Sequence, residues 1–466
     1  MSTFTFERRL DARLIIAVIA TGLMSFTGIC VETAMNVVFP TLMKEFNIPT
    51  STVQWVTTIY LLVLAIIIPA SSWLKKRFMT RTLFGASLAL FIVGTLLGLW
   101  SPSFSVLMLG RILQGAGTGI ALPMMFNIII EQVPTKNIGM IMGFATLTIA
   151  LGPAVGPSLG GFIISFAGWR MIFGCLLPIL MVSAIGGLSC IRQSSPLSKE
   201  PFDVSGFLML SVSFICLIYA LSNISVLSAT SPIFLGLLCI AILFLALFIR
   251  HCRKAVNPLL NLNILHTKRY SFCLMALLLL QFFTLSRGFM IPNFFQLSNG
   301  LNAFEAGCIV LPACIIGALL NPISGRTYDQ FGAKLPILFG MSCIFIEMIL
   351  EVFFMCHVSS TVMMGICVIY CLGQGFGQSN ITTYALRGLP LENNADGTAV
   401  INTLQQLFGA IGTAVASTLV SMGQTAVPDN LAAGTALGTQ WALILNAILA
   451  VIMVVLVLLG LRYNEK

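Results

Sequence analysis

The chain has very few charged residues for its length. Only 8% of its 466 residues are charged, whereas 58% are hydrophobic and the mean hydropathy is +1.00. A soluble protein of this size could not bury so much apolar surface, so the composition predicts a polytopic membrane protein. The net charge of +9 is spread over short loops. It therefore lacks the basic block expected of a nucleic-acid-binding protein and is typical of membrane topology.

Residues that commonly carry catalysis or bind metals are also scarce. The 3 histidines lie in loops, and no cysteines have Cys-x-x-Cys spacing. Nearly all of the 13 cysteines lie inside apolar runs, which favours packed or lipid-facing thiols over disulfides or metal ligands. The glycines at 115, 117 and 119 also lie in an apolar run, not after a strand, and are not a nucleotide-binding loop. The sequence predicts no cofactor, no metal and no enzymatic activity.

Apolar windows recur along the whole chain, and each can cross a hydrocarbon core of about 30 Å. The first window is too long for a signal peptide and is kept as a span. The predicted spans are Leu14–Phe39, Thr52–Ser72, Thr82–Trp100, Phe104–Ile130, Ile138–Phe166, Trp169–Cys190, Val204–Ser222, Pro232–Ile249, Tyr270–Phe295, Ala303–Tyr328, Leu335–Cys356, Ser360–Leu386, Gly397–Val420 and Gln440–Leu461. The sequence therefore predicts an all-α polytopic membrane protein with about fourteen transmembrane helices.

Basic residues in alternate loops orient this array, because Lys and Arg concentrate on the cytoplasmic side of a membrane. The residues that define these loops are Arg8, Arg9, Arg13, Lys75, Lys76, Arg77, Arg81, Arg250, Arg253, Lys254, Lys268 and Arg269. Only Lys44 and Arg170 fall on the opposite side. We expect a multi-pass protein of the cell membrane with both termini in the cytoplasm, because an odd number of spans would break the alternation.

Two loops indicate a weak internal repeat. The loop Ser72–Arg81 follows the second span, and the loop Gly325–Lys334 follows the tenth, with Phe and a basic residue at matching offsets. Parallel repeats are common in transporters. We predict an N-terminal six-helix bundle at 1–192, a two-helix insert with linkers at 193–269 and a C-terminal six-helix bundle at 270–466. Chance similarity of two basic loops is the alternative.

Glu32 is the single carboxylate of the first span. Arg111 lies in the fourth span, where it shares a helical face with Gln114 and Thr118. Both charged residues lie about seven residues from the outer end of their spans, which places both roughly 10 Å deep. A charge at that depth needs a partner, a wet cavity or a proton, so we expect Glu32 and Arg111 to lie close together. Alternatively, each snorkels or binds local carbonyl groups.

The fifth span contains a stripe of small residues. Gly152, Gly156 and Gly160 recur every four residues, and Pro153 and Pro157 each remove a backbone donor. Such a stripe permits close approach of a second helix. It indicates either a hinge or seal between the two halves or ordinary tight packing.

Polar, aromatic and Met side chains inside the spans predict an adaptable substrate cavity, since these groups repack around apolar ligands and attract cations. The candidate lining residues are Ser25, Met35, Asn36, Trp55, Thr58, Tyr60, Gln114, Thr118, Gln281, Phe282, Arg287 and Phe295.

Two further acids, Glu347 and Glu351, lie one helical turn apart in the eleventh span. Like charges at that spacing disfavour the ionisation of both. A structural or peripheral role is favoured over a second proton or cation site, and pairing of one acid with Arg287 is a further option.

These residues resemble the fourteen-spanning drug:proton antiporters of the major facilitator superfamily, of the kind typical of Gram-positive multidrug efflux. The resemblance covers nearly the whole chain. It rests on the run Glu32–Pro40, on Arg111 with Gln114 and Gly115, and on the stripe from Gly152 to Gly161. The family more often has Asp at the position of Glu32. The stripe is similar to a motif of exporters, so the resemblance implies efflux.

One motif departs from the family pattern. In the loop after the second span, Ser72, Lys76 and Met79 stand where the family has Gly, Asp and Gly. The second copy keeps Gly325, Asp329 and Gly332. The resemblance implies that this acid helps to lock one conformation, so we expect any such lock to depend on Asp329 and Gly325.

The functional hypothesis is proton-coupled export of lipophilic, often cationic, drugs by alternating access, with Glu32 as the coupling carboxylate beside Arg111. The partners are these substrates, protons and the lipid bilayer, and a monomer suffices. A dedicated exporter of a metabolite, siderophore or lipid is one alternative. A membrane sensor or enzyme without net transport is another.

Overall fold

The structure, a computed structural model, describes residues 10–194, 196–197, 201–224, 231–255, 257–355, 358–390 and 393–463. Arg8, Arg9 and Cys356 lie outside the described residues. Fourteen long helices are described: α1 (Ala12–Phe46), α2 (Trp55–Arg77), α3 (Thr80–Leu99), α4 (Phe104–Gln132), α5 (Thr135–Ala167), α6 (Arg170–Cys190), α7 (Val204–Ser222), α8 (Pro232–Cys252), α9 (Lys268–Leu297), α10 (Leu311–Phe331), α11 (Lys334–Phe354), α12 (Ser360–Leu386), α13 (Asn394–Ala426) and α14 (Leu431–Leu461). This order confirms the predicted all-α architecture.

Membrane-crossing length is a property of nearly all of these helices. Within the described residues, thirteen helical segments are long and apolar enough to cross a bilayer, and α5 contributes the shorter apolar stretch Leu151–Ala167. Two predicted spans are interrupted near their ends. A short helix, Thr50–Val53, precedes α2, and another, Ala303–Cys308, precedes α10.

The helix α14 begins at Leu431 rather than at the predicted Gln440. The first residues of this helix are mostly Ala, Gly and Thr, which are less hydrophobic than the Leu, Ile and Val that follow. The predicted span therefore began too late. Asn430 caps the helix by accepting a hydrogen bond from Ala433 N at 3.0 Å. The cap sets the start of the helix where hydropathy gave no signal.

Similar caps start other helices. Asp11 accepts a hydrogen bond from Leu14 N at 2.9 Å at the start of α1. This bond, together with the charge of Arg192, lowers the pKa of Asp11 below its ordinary value. Arg192 lies 3.0 Å from the Asp11 carboxylate and joins the start of α1 to the chain beyond α6.

Six helices at each end of the chain pack in the same pattern. In the first set, α1 packs on α5 and α6, α2 on α4, and α3 on α4 and α6. In the second set, α9 packs on α13 and α14, α10 on α12, and α11 on α12 and α14. We call α1 to α6 the N-terminal bundle and α9 to α14 the C-terminal bundle. The matching neighbours support a repeated unit, and the domain boundaries inferred from sequence stay predictions.

The helices α7 and α8 form the insert. α7 packs on α2 of one bundle and on α13 of the other, while α8 packs mainly on α7. Thr418 on α13 donates a hydrogen bond to Leu221 O at 3.2 Å. The side chains of α8 are largely exposed, as expected for a helix surrounded by lipid.

Hydrogen bonds join the two bundles near the C-terminal ends of α1 and α9. Asn293 donates to Asn36 O at 3.3 Å, and Gln296 donates to Val37 O at 3.0 Å. Thr50, the first residue of the short helix Thr50–Val53, donates to Gln424 on α13 at 2.8 Å. We call this region, where α1 continues into the loop before α2, the closed end.

Candidate functional site

Arg111 is completely buried in the N-terminal bundle and held by groups on two helices. Its Nε donates to Val56 O on α2 at 2.8 Å, and its Nη1 donates to Gln114 Oε1 on α4 at 2.8 Å. The guanidinium also stacks over the ring of Tyr60, 4.3 Å from its centroid. Its Nη2 has no hydrogen-bond partner among the described residues. Arg111 is therefore a fixed positive charge with one free donor.

The polar stripe predicted on α4 continues from Arg111 by hydrogen bonds. Gln114 donates to Thr95 on α3 at 3.0 Å, and Tyr60 and Thr118 are joined by a hydrogen bond of 3.0 Å between their hydroxyls. A Cβ at Gly28 would lie 2.6 Å from Thr118 Oγ1. The chain of α1 thus runs directly over this network, one turn before Glu32.

Glu32 lies beside this network without pairing with Arg111. Its side chain is 6% exposed, and it interacts electrostatically with both Arg111 and Tyr60. Among the ion pairs and hydrogen bonds of the described residues, none involves the Glu32 carboxylate. The two residues interact electrostatically, whereas the Arg111 guanidinium binds the backbone carbonyl of Val56, as the alternative interpretation allowed.

Asn36, one turn beyond Glu32, connects the site to the closed end. Its Oδ1 accepts a hydrogen bond from Thr57 on α2 at 2.8 Å, and its backbone oxygen accepts from Asn293 on α9. Phe39 lies 5.8 Å from Phe289 between ring centroids. A displacement of α1 at Glu32 would therefore act directly on the contact between the bundles.

The other candidate lining residues divide into two groups. Ser25, Met35, Thr58, Phe282 and Phe295 are buried. Trp55 packs against Tyr219 of α7, with ring centroids 6.0 Å apart, and Gln281 lies against Gly409 of α13.

The glycine stripe of α5 packs against α1 inside the N-terminal bundle. A Cβ at Gly156 would overlap Thr33 Oγ1 and Cys30 O, and a Cβ at Gly160 would lie 2.9 Å from Ala34 O. Gly152 meets Ile29 of α1 in the same way, and Pro153 lies in the same stretch of helix.

The contact of α5 with the C-terminal bundle uses another face of the helix. A Cβ at Gly161 would overlap the backbone at Ala303 and Phe304, and a Cβ at Gly307 would overlap the Pro157 carbonyl. Both contacts lie at the short helix Ala303–Cys308, at the closed end. Pro157 and Gly161 thus contact the C-terminal side, whereas the three regularly spaced glycines pack α5 on α1.

The two loop motifs differ in their contacts. Asp329 is exposed and forms no ion pair with a described residue. Gly325 has open space where a Cβ would project. In the first motif, Lys75 lies in the last turn of α2 and forms an ion pair with Glu131 at the end of α4. Ser194 also donates to Glu131 at 2.6 Å.

A second buried charge cluster lies in the C-terminal bundle. Arg287 on α9 forms ion pairs with both Glu347 and Glu351 on α11, and its Nε lies 2.9 Å from Glu351 Oε1. The guanidinium stacks over Tyr370 of α12, 3.9 Å from the ring centroid, and lies 3.7 Å from Cys367 Sγ. The sequence suggested one pairing with Arg287, and the structure has two.

Sequence reasoning missed Tyr370 and Cys367 because no charge marks them. Tyrosine is rare in this chain, with 7 residues, and three of them stack on arginines of the spans: Tyr60 on Arg111, Tyr384 on Arg269 and Tyr370 on Arg287. Tyrosine inside an apolar run was therefore an available signal. Sequence reasoning also missed Glu45. Its carboxylate lies 2.7 Å from the Arg170 guanidinium and balances one of the two cations that did not fit the predicted loop pattern.

Two matching bundles joined at one end, each with a buried arginine held by neighbouring helices, are typical of a membrane transporter. Comparison with known proteins agrees with this class. The profile of the Major Facilitator Superfamily matches residues 21–413. The chain therefore belongs to the Major Facilitator Superfamily.

Several relatives are resistance proteins. The chain is 33% identical over 450 residues to the lincomycin resistance protein LmrB of Listeria monocytogenes, covering 94% of this chain and 95% of that protein. It is 33% identical over 408 residues to LmrB of Bacillus subtilis, covering 86% and 84%. It is 28% identical over 401 residues to the putative multidrug resistance protein MdtD of Citrobacter koseri, covering 84% and 83%.

The fold is also similar to that of a solved transporter. The crystal structure of a bacterial homologue of the human lysosomal transporter Spinster matches with a TM-score of 0.68 at 14% identity, covering 97% of this chain and 98% of that chain. At this identity the match concerns the fold alone.

Proposed function

We propose that this protein exports lipophilic, often cationic, drugs from the cell in exchange for protons, with Glu32 as the coupling carboxylate. The observation that carries the proposal is the position of Glu32, buried beside the fixed charge of Arg111 without pairing with it. Multidrug efflux is supported by the resistance proteins among the relatives. Proton coupling and the individual residue roles belong to the proposal.

The chemistry follows from the cost of an ionised acid inside a bundle. A carboxylate at this depth is stabilised by a proton, by a cationic ligand or by closer approach to a guanidinium. The Arg111 side chain is held by Val56, Gln114 and Tyr60, so only Glu32 or a bound substrate can change the separation. A substrate that alters this separation alters the proton affinity of Glu32, which is the condition for exchange.

Alternating access supplies the rest of the cycle. Under the predicted topology, with both termini cytoplasmic in the cell membrane, the closed end is the outer end. Rocking of the bundles would open the contacts of Asn36 and Pro157 and expose Glu32 to the outside. Gly152, Gly156 and Gly160 would carry α5 with α1 during this motion, and Gly325 and Asp329 would hold the cytoplasmic side closed afterwards.

The substrate would bind between the bundles of a single chain. Asn36, Tyr60, Gln114 and Thr118 are candidate residues of the N-terminal bundle, and Phe282 and Phe295 are candidates of the C-terminal bundle. Their mixture of aromatic faces and uncharged polar groups suits lipophilic cations.

Drug susceptibility of cells tests the proposal. The chain and its Glu32→Gln variant are expressed in a drug-sensitive bacterium, and inhibitory concentrations are measured for lincomycin, ethidium and uncharged lipophilic drugs. We expect the unaltered chain to raise several of these concentrations and Glu32→Gln to abolish the increase at equal expression. Asp429→Asn, at an exposed carboxylate, is the control that should behave as the unaltered chain.

Two outcomes would oppose the proposal. Protection against no drug in the panel would favour a dedicated exporter of another small molecule. Full protection by Glu32→Gln would show that another group couples transport to protons.

A further inference from the structure

The cluster of Arg287, Glu347 and Glu351 is closed to solvent. Both glutamate side chains are 0% exposed and the Arg287 side chain 6%. The three residues come from two helices, since Arg287 lies on α9 and the acids lie one turn apart on α11. We call this group the C-terminal acid cluster.

Its formal charges do not balance. Two carboxylates face one guanidinium, so the cluster has a net charge of −1 if both acids are ionised. The other ionisable side chains that face it are Cys367 and Tyr370 of α12, with Cys314 of α10 and Cys371 of α12 further out. The helix α14, which packs on α11, has no charged residue between Leu431 and Leu461. No second cation therefore reaches the cluster from the described residues.

The hydrogen bonds point to the same deficit. Arg287 donates hydrogen bonds to Glu347 Oε1 and Glu351 Oε1. The other oxygens, Glu347 Oε2 and Glu351 Oε2, are buried and have no hydrogen-bond partner among the described residues. Leaving two ionised oxygens unpaired in a closed pocket costs several kcal/mol. A single proton would remove the excess charge and give one of these oxygens a donor.

We propose that Glu347 and Glu351 share one proton opposite Arg287 and form a second proton-binding site, in the C-terminal bundle and separate from Glu32. The site differs from the ion pair expected of one acid and one base, because it stays neutral only with the proton bound. Two carboxylates in contact commonly titrate as a pair, so the proton belongs to both.

The cluster is connected to the contact between the bundles. Arg287 immediately precedes Gly288 and Phe289 on α9, where Gly288 lies against Asn36 and Phe289 lies against Phe39 of α1. Loss of the proton would leave an excess negative charge on the two acids beside Arg287. We expect this charge to displace α9 at its contact with α1. This role in transport rests on the proposed function, whereas the proton site itself does not.

Infrared spectroscopy of the purified full chain at neutral pH tests the site. Exposed carboxyl groups are ionised at that pH, so a protonated carboxyl gives a separate carbonyl stretching band. We expect the band in the unaltered chain and in Glu32→Gln. We expect its loss when Glu347→Gln or Glu351→Gln is added to Glu32→Gln, because either change leaves one acid for one arginine and removes the need for a proton. Asp429→Asn should leave the band unchanged.

The outcomes separate the two proposals. A band that persists when either α11 change is added to Glu32→Gln, or that is absent from the unaltered chain, overturns the shared proton. A band lost only in Glu32→Gln also overturns it and leaves the role of Glu32 intact. If the variants of α11 do not fold, the band in Glu32→Gln still decides, because its absence there contradicts a protonated cluster.

Discussion

At the scale of the residue, the buried arginines have a common environment. Arg111, Arg269 and Arg287 each stack over a tyrosine ring, at 4.3, 3.7 and 3.9 Å from the ring centroid. A guanidinium can stack on an aromatic face and still donate hydrogen bonds in its own plane, which an ammonium group cannot do. The choice of Arg over Lys is therefore a requirement of these sites.

This requirement predicts the effect of Arg111→Lys. Lysine keeps the charge but cannot stack on Tyr60 while donating to both Val56 and Gln114. We expect the free energy of unfolding to fall by about 2 kcal/mol or more, the loss of one or two hydrogen bonds from a charged donor, and drug export to be lost. Thermal unfolding of the purified variant measures the first effect. Arg81→Lys, at an exposed position, is the control and should unfold at the same temperature as the unaltered chain.

The sequence could predict the neighbourhood of Glu32 but not its contacts. Counting residues from the span ends placed Glu32 and Arg111 at one depth, because the helical rise is constant. The count cannot show which groups an arginine binds, since the nearest acceptor, Val56 O, is a backbone atom with no sequence signature. The same holds for the pairing of Arg287 with two acids rather than one.

At the scale of the element, the contact of α5 with α1 depends on glycines, which have no side chain to keep the two helices apart. The repeat of glycines every four residues predicted a close helix contact, and the structure has one. Its partner was less predictable, because a small-residue stripe records that a helix approaches but not which helix. Only the folded chain shows that α1 fills this face and that Pro157 and Gly161 meet the other bundle.

This contact predicts the effect of Gly156→Ala. The added Cβ would overlap Thr33 and Cys30, so α5 must separate from α1. We expect a loss of about 1 to 3 kcal/mol of stability, as for other overpacked interiors. Melting of the detergent-solubilised protein would show it. Gly236→Ala makes the same change on α8, where a Cβ meets nothing within 4 Å, and equal melting of the two variants would refute the account.

At the scale of the whole molecule, the fold follows from composition and repeat. Hydropathy and loop charge predicted fourteen helices, and fourteen long helices are described in the structure. The profile match confirms the superfamily. The conformation could not be predicted in this way, because the proposed cycle requires the same sequence to form both the inward and the outward state. The contacts at the closed end, from Asn36 to Asn293 and from Pro157 to Gly307, record one of these states.

The closed end predicts a conformational effect of Gly161→Ala. The new Cβ would overlap the backbone of Ala303, so closure at this end becomes unfavourable. We expect the population to shift towards the state open at this end. Spin labels on cysteines introduced at Lys44 and Asn299, in a chain without native cysteines, should then report longer distances. Unchanged distances would show that this contact does not hold the end closed.

The central claim is that proton movement through Glu32 drives export, and one comparison in proteoliposomes tests it most directly. Vesicles are given an acidic interior, and uptake of ethidium against its gradient is compared with exchange of ethidium between equal concentrations at one pH. The account predicts that Glu32→Gln loses the uptake driven by the pH step and keeps the exchange, because only net transport needs the proton. Uptake by Glu32→Gln at the rate of the unaltered chain would contradict it.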